Sequence, residues 1–118
     1  MDLLGFALYF LGKTEEAEKI CRHTLELESE HAYALKGLGL CLAKRGDLQG
    51  AIELLEHAIR IKPNWFDPYW DLGVTLAGAG RCADAIAVVG RGRQALPDHN
   101  VQWDKLERHA RTAGARAR

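Results

Sequence analysis

The amino-acid sequence predicts an all-α protein: an α-α superhelix of three helix-turn-helix repeats closed by a C-terminal capping helix. Three observations carry this. Residues recur every 34 positions, as Leu4, Leu38 and Leu72, Gly5, Gly39 and Gly73, and Leu8, Leu42 and Leu76. Within each 34-residue unit the apolar residues fall at helical spacing. A glycine then breaks each unit in the middle, at Gly12, Gly46 and Gly80. Self-similarity at a fixed period marks a repeat architecture, in which each unit buries its apolar face against the next.

The units follow in order. Residues 1–31 form a first repeat that lacks its start, 32–65 a second, and 66–99 a third. Residues 100–113 make the capping helix, and 114–118 a flexible basic tail. In the second unit Leu35, Leu38, Gly39 and Leu42 share one helical face. The break Arg45-Gly46-Asp47 follows, and glycine reaches positive φ there without a Cβ clash. Leu48, Ala51, Ile52, Leu55 and Ile59 then mark a second amphipathic helix. Pro63, like Pro97 one unit later, ends it. The column Ala17, Ala51, Ala85 stands opposite the glycine column Gly5, Gly39, Gly73, and small residues in both let paired helices approach closely. Asp67-Pro68 reads as a cap followed by a first-turn proline. The last helix of the third unit carries Gly90 and Gly92, each costing about 1 kcal/mol relative to alanine in a helix interior. Arg93 stands there where the other units have Leu25 and Ile59, so this helix is expected to be the loosest.

These residues resemble the tetratricopeptide repeat, whose 34-residue pattern runs through an aromatic, Leu-Gly, Tyr, Ala, a second aromatic and Pro. The third unit matches it as Tyr69, Leu72-Gly73, Leu76, Ala85, Val89 and Pro97. The second matches as Leu35, Leu38-Gly39, Leu42, Ala51, Leu55 and Pro63. The first matches from Met1 through Leu4-Gly5, Leu8, Ala17, Cys21 and Ser29. Trp103, Leu106 and Ala110 restart the pattern without a partner helix, as a capping helix would. The resemblance covers nearly the whole chain.

A solenoid does its work on its concave face, and the resemblance implies that the first helix of each couple lines it. The residues point the same way. The Leu-Gly columns use up the inward faces, which leaves the opposite stripe of each first helix for the groove. That stripe holds Phe6, Tyr9 and Phe10 in the first unit, and Tyr33, Lys36, Leu40 and Lys44 in the second. It holds Trp70, Asp71 and Val74 in the third, and Arg108 in the capping helix. Such a groove is aromatic and aliphatic at its middle and cationic at its sides. It suits an apolar peptide or helix of a partner protein, because aromatic side chains anchor interfaces. Tyr69 and Trp103 are expected in the core instead. Some members of the family hold the C-terminal carboxylate of heat-shock chaperones through Lys, Asn and Arg. The matching places here hold Asp2, Phe6, Gly37, Asp67 and Asp71, and acids there would repel a carboxylate.

The stretch from Met1 to Leu11 leaves no polar face, and a helix apolar all round is normally covered. A preceding repeat, a second copy of the chain or a ligand would cover it. Leu3, Phe6 and Phe10 are therefore candidates for self-association. The alternative reading is a self-assembling scaffold, or a fragment or regulatory domain of a larger repeat protein.

Composition excludes several other classes. The 118 residues carry 16 basic and 16 acidic side chains, a balance that calls for neither nucleic acid nor an anionic membrane. The excess of base lies in residues 81–118, as either a solubilising end or a site for an acidic partner or a second copy. No apolar run reaches the roughly 18 residues of a membrane span. Leu3–Leu11 has no basic region before it, so it makes a poor signal peptide. Cys21, Cys41 and Cys82 build no disulfide framework, and reduced thiols point to the cytoplasm. Cys21 and Cys41 fall in small or apolar columns, whereas Cys82 sits in a first turn. None of the five histidines enters a ligand motif, and no phosphate loop or nucleophile motif is present. The expectation is a binding protein with no enzyme activity, metal or cofactor.

Overall fold

The computed structural model describes residues 14–117, with side chains as far as Gly114. Among them every regular element is helical: α1 (Thr14–Leu27), α2 (Ala32–Arg45), α3 (Leu48–Ile61), α4 (Phe66–Gly78), α5 (Cys82–Ala95) and α6 (Asn100–Ala117). A 3-10 turn, Pro97–His99, precedes α6. The chain divides into two compact units, Met1–Pro63 and Asn64–Arg118. The expectations placed on Leu3, Phe6, Tyr9, Phe10 and Gly12 lie outside the described residues.

In the first unit α2 packs on both α1 and α3. α1 buries Ala17 and Cys21, one turn apart. α3 buries Ala51, Leu55, Ala58 and Ile59, the i, i+4, i+7, i+8 stripe of an amphipathic helix. Between them α2 is enclosed on most sides. Its Gly39 sets the spacing: an added Cβ would lie 3.1 Å from Leu55 Cγ and 3.4 Å from the Ala51 carbonyl. This is the close approach expected of the Gly39 and Ala51 columns.

The mid-unit breaks have one geometry, repeated 34 residues on. Gly46 has φ 91° and Gly80 φ 80°. The Gly46 N–H donates to Ala43 O and the Asp47 N–H to Leu42 O, at 3.1 and 2.9 Å. Gly80 and Arg81 donate to Ala77 and Leu76 at the same two distances. This pair of bonds satisfies carbonyls that the helix end would otherwise leave open, and it needs a left-handed residue at the turn. Asp47 then starts α3, its Oδ1 accepting the Gly50 N–H at 3.0 Å. The cap of α2 is less usual: His31 Nδ1 accepts the Ala34 N–H at 3.2 Å.

In the second unit α4, α5 and α6 all pack on one another. Tyr69, Leu72 and Leu76 of α4, Ala85, Val88 and Val89 of α5, and Trp103, Leu106 and Ala110 of α6 are all buried. Trp103 is fully buried, and its Nε1–H donates to Leu96 O at 2.9 Å. Leu96 ends α5, so the indole satisfies a carbonyl that has no partner within its own helix.

Five details differ from the sequence reading. Asp67 is not a cap: α4 begins at Phe66 with Trp65 at the N-cap, and Asp67 and Pro68 lie in its first turn. A proline is harmless there, because first-turn N–H groups have no intrahelical partner, and the earlier start brings the Phe66 ring onto Trp103. The last helix runs to Ala117, so residues 114–117, read as tail, are helical. The atoms crowding Gly73 belong to Leu106 rather than to α5, with an added Cβ 2.6 Å from Leu106 Cδ2. Gly92 is a seat rather than only a cost, since a Cβ there would lie 2.6 Å from Trp103 Cζ2. Next to it Arg93 reaches across to α6, where its Nη2 meets Asp104 at 2.8 Å and Glu107 at 3.4 Å.

Candidate functional site

Among the described residues, those assigned to a docking surface lie on α2, α4 and, for Arg108, α6. In the first unit Tyr33, Lys36, Leu40 and Lys44 follow one stripe of α2, at intervals of three and four residues. Tyr33 is 41% exposed at the start of that helix. Lys62 Nζ stands 5.2 Å from its ring centroid, and the His31 ring meets it edge-on at 6.4 Å. A cation over one face of the ring and an imidazole at its edge hold the phenol in place while leaving surface open. Leu40 is half-buried and Lys44 exposed. Lys36 is enclosed, with 5% of its surface accessible.

In the second unit Trp70 and Val74 lie one turn apart on α4. Val74 is 38% exposed. Trp70 is half-buried, its ring 5.8 Å from Phe66. Asp71 is half-buried as well, with Oδ2 shielded from solvent. Arg108 is exposed on α6 and turns its Nε back to Asp104 O at 3.4 Å. Tyr33 and Leu40 thus lie two turns apart on one stripe of α2, and Trp70 and Val74 one turn apart on α4. Phe6, Tyr9 and Phe10 lie outside the described residues. At the places compared with a carboxylate-binding set, Gly37 is buried, Asp67 exposed and Asp71 half-buried.

Phe66 is the residue that sequence reasoning missed. Its ring stacks on His99 at 4.7 Å, tilts against Trp103 at 4.9 Å, and backs Trp70. Tyr69 meets Trp103 edge-on at 6.1 Å. Tyr69 and Trp103 are therefore the buried members of an aromatic cluster, as expected, and Phe66 joins them to the half-exposed Trp70. The available signal was an aromatic immediately before Asp-Pro, which the cap reading passed over.

The ionic groups are structural in their geometry. Arg45 Nη1 donates to Glu18 Oε1 at 2.6 Å and Oε2 at 2.9 Å, tying α2 to α1. Arg22 Nε adds a bond at 3.3 Å. The Arg45 hydrogen bond holds the Glu18 carboxyl below its ordinary value; burial opposes this and Arg22 assists it. Cys21, Cys41 and Cys82 are free thiols, the first two buried. Burial pushes the Cys41 thiol up, with Glu18 adding to the shift. That is the behaviour of a packing residue, not a nucleophile. Among the described residues no group of three His, Cys, Asp or Glu side chains could hold a metal ion. No helix among them is long and apolar enough to cross a membrane.

Comparison with known proteins places this geometry. No curated protein sequence matches the chain significantly. Among solved structures, the type III secretion chaperone SycD of Yersinia enterocolitica, in complex with a peptide of the translocator YopD, superposes with a TM-score of 0.79. It is 18% identical, over 98% of this chain and 90% of that one. PcrH in complex with the chaperone-binding region of PopD gives 0.78 at 22% identity, over 98% and 89%. The TPR2B domain of yeast Sti1, in a complex with pHsp70, gives 0.81 at 18% identity, over 92% and 90%. At these identities the likeness is one of fold. The sequence itself matches two profiles described as tetratricopeptide repeat, over residues 1–64 and 42–109. Each spans more than half of the chain, and together they cover both units in which the 34-residue geometry repeats, so the chain belongs to the tetratricopeptide repeat family.

Proposed function

We propose that this chain is a protein-interaction module that captures an apolar peptide or helix of a partner through aromatic and aliphatic anchors on the first helix of each couple. The carrying observation is that Tyr33 and Val74 are large apolar side chains left substantially exposed, each on the stripe opposite a buried Leu-Gly pair. Family membership supports the module reading. So does the fact that SycD, PcrH and the Sti1 domain were each solved with a peptide or a region of another protein.

In this reading Tyr33 and Leu40 form one anchor pair and Trp70 and Val74 another, with Lys44 and Arg108 supplying charge at the margins. Phe66 and the Lys62 cation hold the two rings before a ligand arrives, which lowers the entropy lost on binding. The test is a displayed random peptide library selected on the whole chain. Enriched peptides rich in aromatic and aliphatic residues, whose capture fails on Trp70→Ala or Val74→Glu, support the reading. Peptides indifferent to both variants refute it.

A further inference from the structure

α2 and α3 each begin with a side chain that accepts a first-turn N–H. On α3 the acceptor is Asp47 Oδ1, which takes the Gly50 N–H at 3.0 Å. On α2 it is His31 Nδ1, which takes the Ala34 N–H at 3.2 Å. The two caps respond differently to protons. A carboxylate accepts throughout the neutral range. An imidazole nitrogen accepts only while it carries no hydrogen, so the α2 cap exists only with the ring neutral and its hydrogen on Nε2. The imidazolium has two donors and no acceptor. It leaves the Ala34 N–H open and sets a positive charge against the positive end of a helix.

The groups around the ring decide the sign. Glu28, in the turn before α2, stands 4.0 Å from Nε2 and favours the cation, but 71% of its side chain is exposed and water screens it. Glu30 of the same turn and Glu26 of α1 are as exposed, and they face His57 at 3.4 Å and His23 at 3.8 Å instead. Tyr33 of α2 meets the ring edge-on at 6.4 Å. Lys62, which closes α3, holds its Nζ 5.2 Å from the Tyr33 centroid and brings a positive charge to this corner. The His31 side chain is only 25% exposed. The lost cap and the helix end thus act at contact on a half-buried ring, whereas the carboxylates act through water.

We propose that His31 is a proton-operated cap. Neutral, it pins the first turn of α2; protonated, it releases that turn and the Tyr33 ring the turn carries. A group whose protonated form the fold disfavours adds stability that is fully present above its ordinary value and is lost as pH falls. Imidazole ordinarily titrates at about pH 6.5. The release therefore lies above the range in which the Glu18 carboxyl titrates. One consequence rests on the function proposed above: where Tyr33 anchors a peptide, capture weakens in mild acid. The cap itself does not rest on that reading.

Two measurements on the intact chain test the proposal. Nitrogen NMR of the histidine rings at about pH 8 should show His31 with a bare Nδ1 and its hydrogen on Nε2. Urea unfolding, followed by circular dichroism, then compares wild type with His31→Asn, because asparagine caps a helix and does not titrate. The ratio of their unfolding constants should be flat above about pH 7.5 and move in favour of the variant by about fivefold by about pH 5. Glu28→Gln in both backgrounds should leave that movement intact or enlarge it. A ratio that stays flat, or that moves in favour of wild type in acid, overturns the proposal. So does a neutral ring with its hydrogen on Nδ1. Peptide capture is read separately: a chain that shows the ring state and the shifted ratio but captures no peptide supports the cap and refutes the function proposed above.

Discussion

Gly92 and Trp103 occupy adjoining space so closely that a Cβ on the glycine would stand 2.6 Å from Cζ2 and 2.8 Å from Cζ3 of the indole. The ring is fully buried and tied to Leu96 O, so it cannot swing aside cheaply. Helix propensity alone favours Gly92→Ala by about 1 kcal/mol. Packing opposes it, and overfilling a tight core costs about 1–3 kcal/mol. Urea unfolding of Gly92→Ala should show a net loss of stability. Gly90, two residues earlier, is exposed with nothing within 4 Å of an added Cβ. Gly90→Ala should therefore gain about 0.5–1 kcal/mol. If the two variants move together, α5 and α6 are not packed in this way.

The turn glycines predict a matched pair. Gly46 and Gly80 have open space around them, so only backbone conformation opposes a side chain. Holding a non-glycine residue in the left-handed region costs about 1–2 kcal/mol. Gly46→Ala and Gly80→Ala should each lower the melting temperature, while Asn, which tolerates that region better, should lower it less at both positions.

Thiol reactivity should split the cysteines. Cys21 and Cys41 are buried, and burial raises the Cys41 thiol further. Cys82 is half-buried at the start of α5. Under native conditions a thiol reagent should modify Cys82 first and the other two only on unfolding. Cys82→Ser should remove the fast phase alone, read by mass spectrometry.

Acid should loosen the contact between α1 and α2. The folded-state value of Glu18 lies below its ordinary 4.5, held there chiefly by Arg45. A depressed carboxyl stabilises the fold fully above its unfolded value and stops doing so as pH falls through the folded one. The stability difference between wild type and Glu18→Gln should be constant near neutrality and shrink below about pH 4.5. Both partners are reached by solvent, so the difference is small.

The repeat made the helix couples and their glycine turns legible, because each position is read two or three times. Gly46 and Gly80 could be assigned together, as could the burial of Tyr69 and Trp103. What escaped was set by contacts that break the repeat. Gly92 looked like a weakness because its partner, Trp103, lies in a helix with no counterpart in the other couples. Arg93 looked like a lost aliphatic because Asp104 and Glu107 belong to that same helix. Asp67 looked like a cap because propensity favours it, whereas the packing of Phe66 starts the helix earlier. For the proposed docking surface, periodicity found that Tyr33 and Val74 are exposed. It could not foresee that Lys36 is enclosed, since lysine is almost never fully buried.

On the proposed function, rings on the first helices carry the binding. Calorimetric titration of the chain with its best selected peptide, repeated with Tyr33→Ala and Trp70→Ala, tests it most directly. Truncating an interface anchor costs about 2 kcal/mol or more, so Kd should rise on the order of thirtyfold for at least one of the two, with unchanged melting. Equal affinity for all three proteins would contradict the claim.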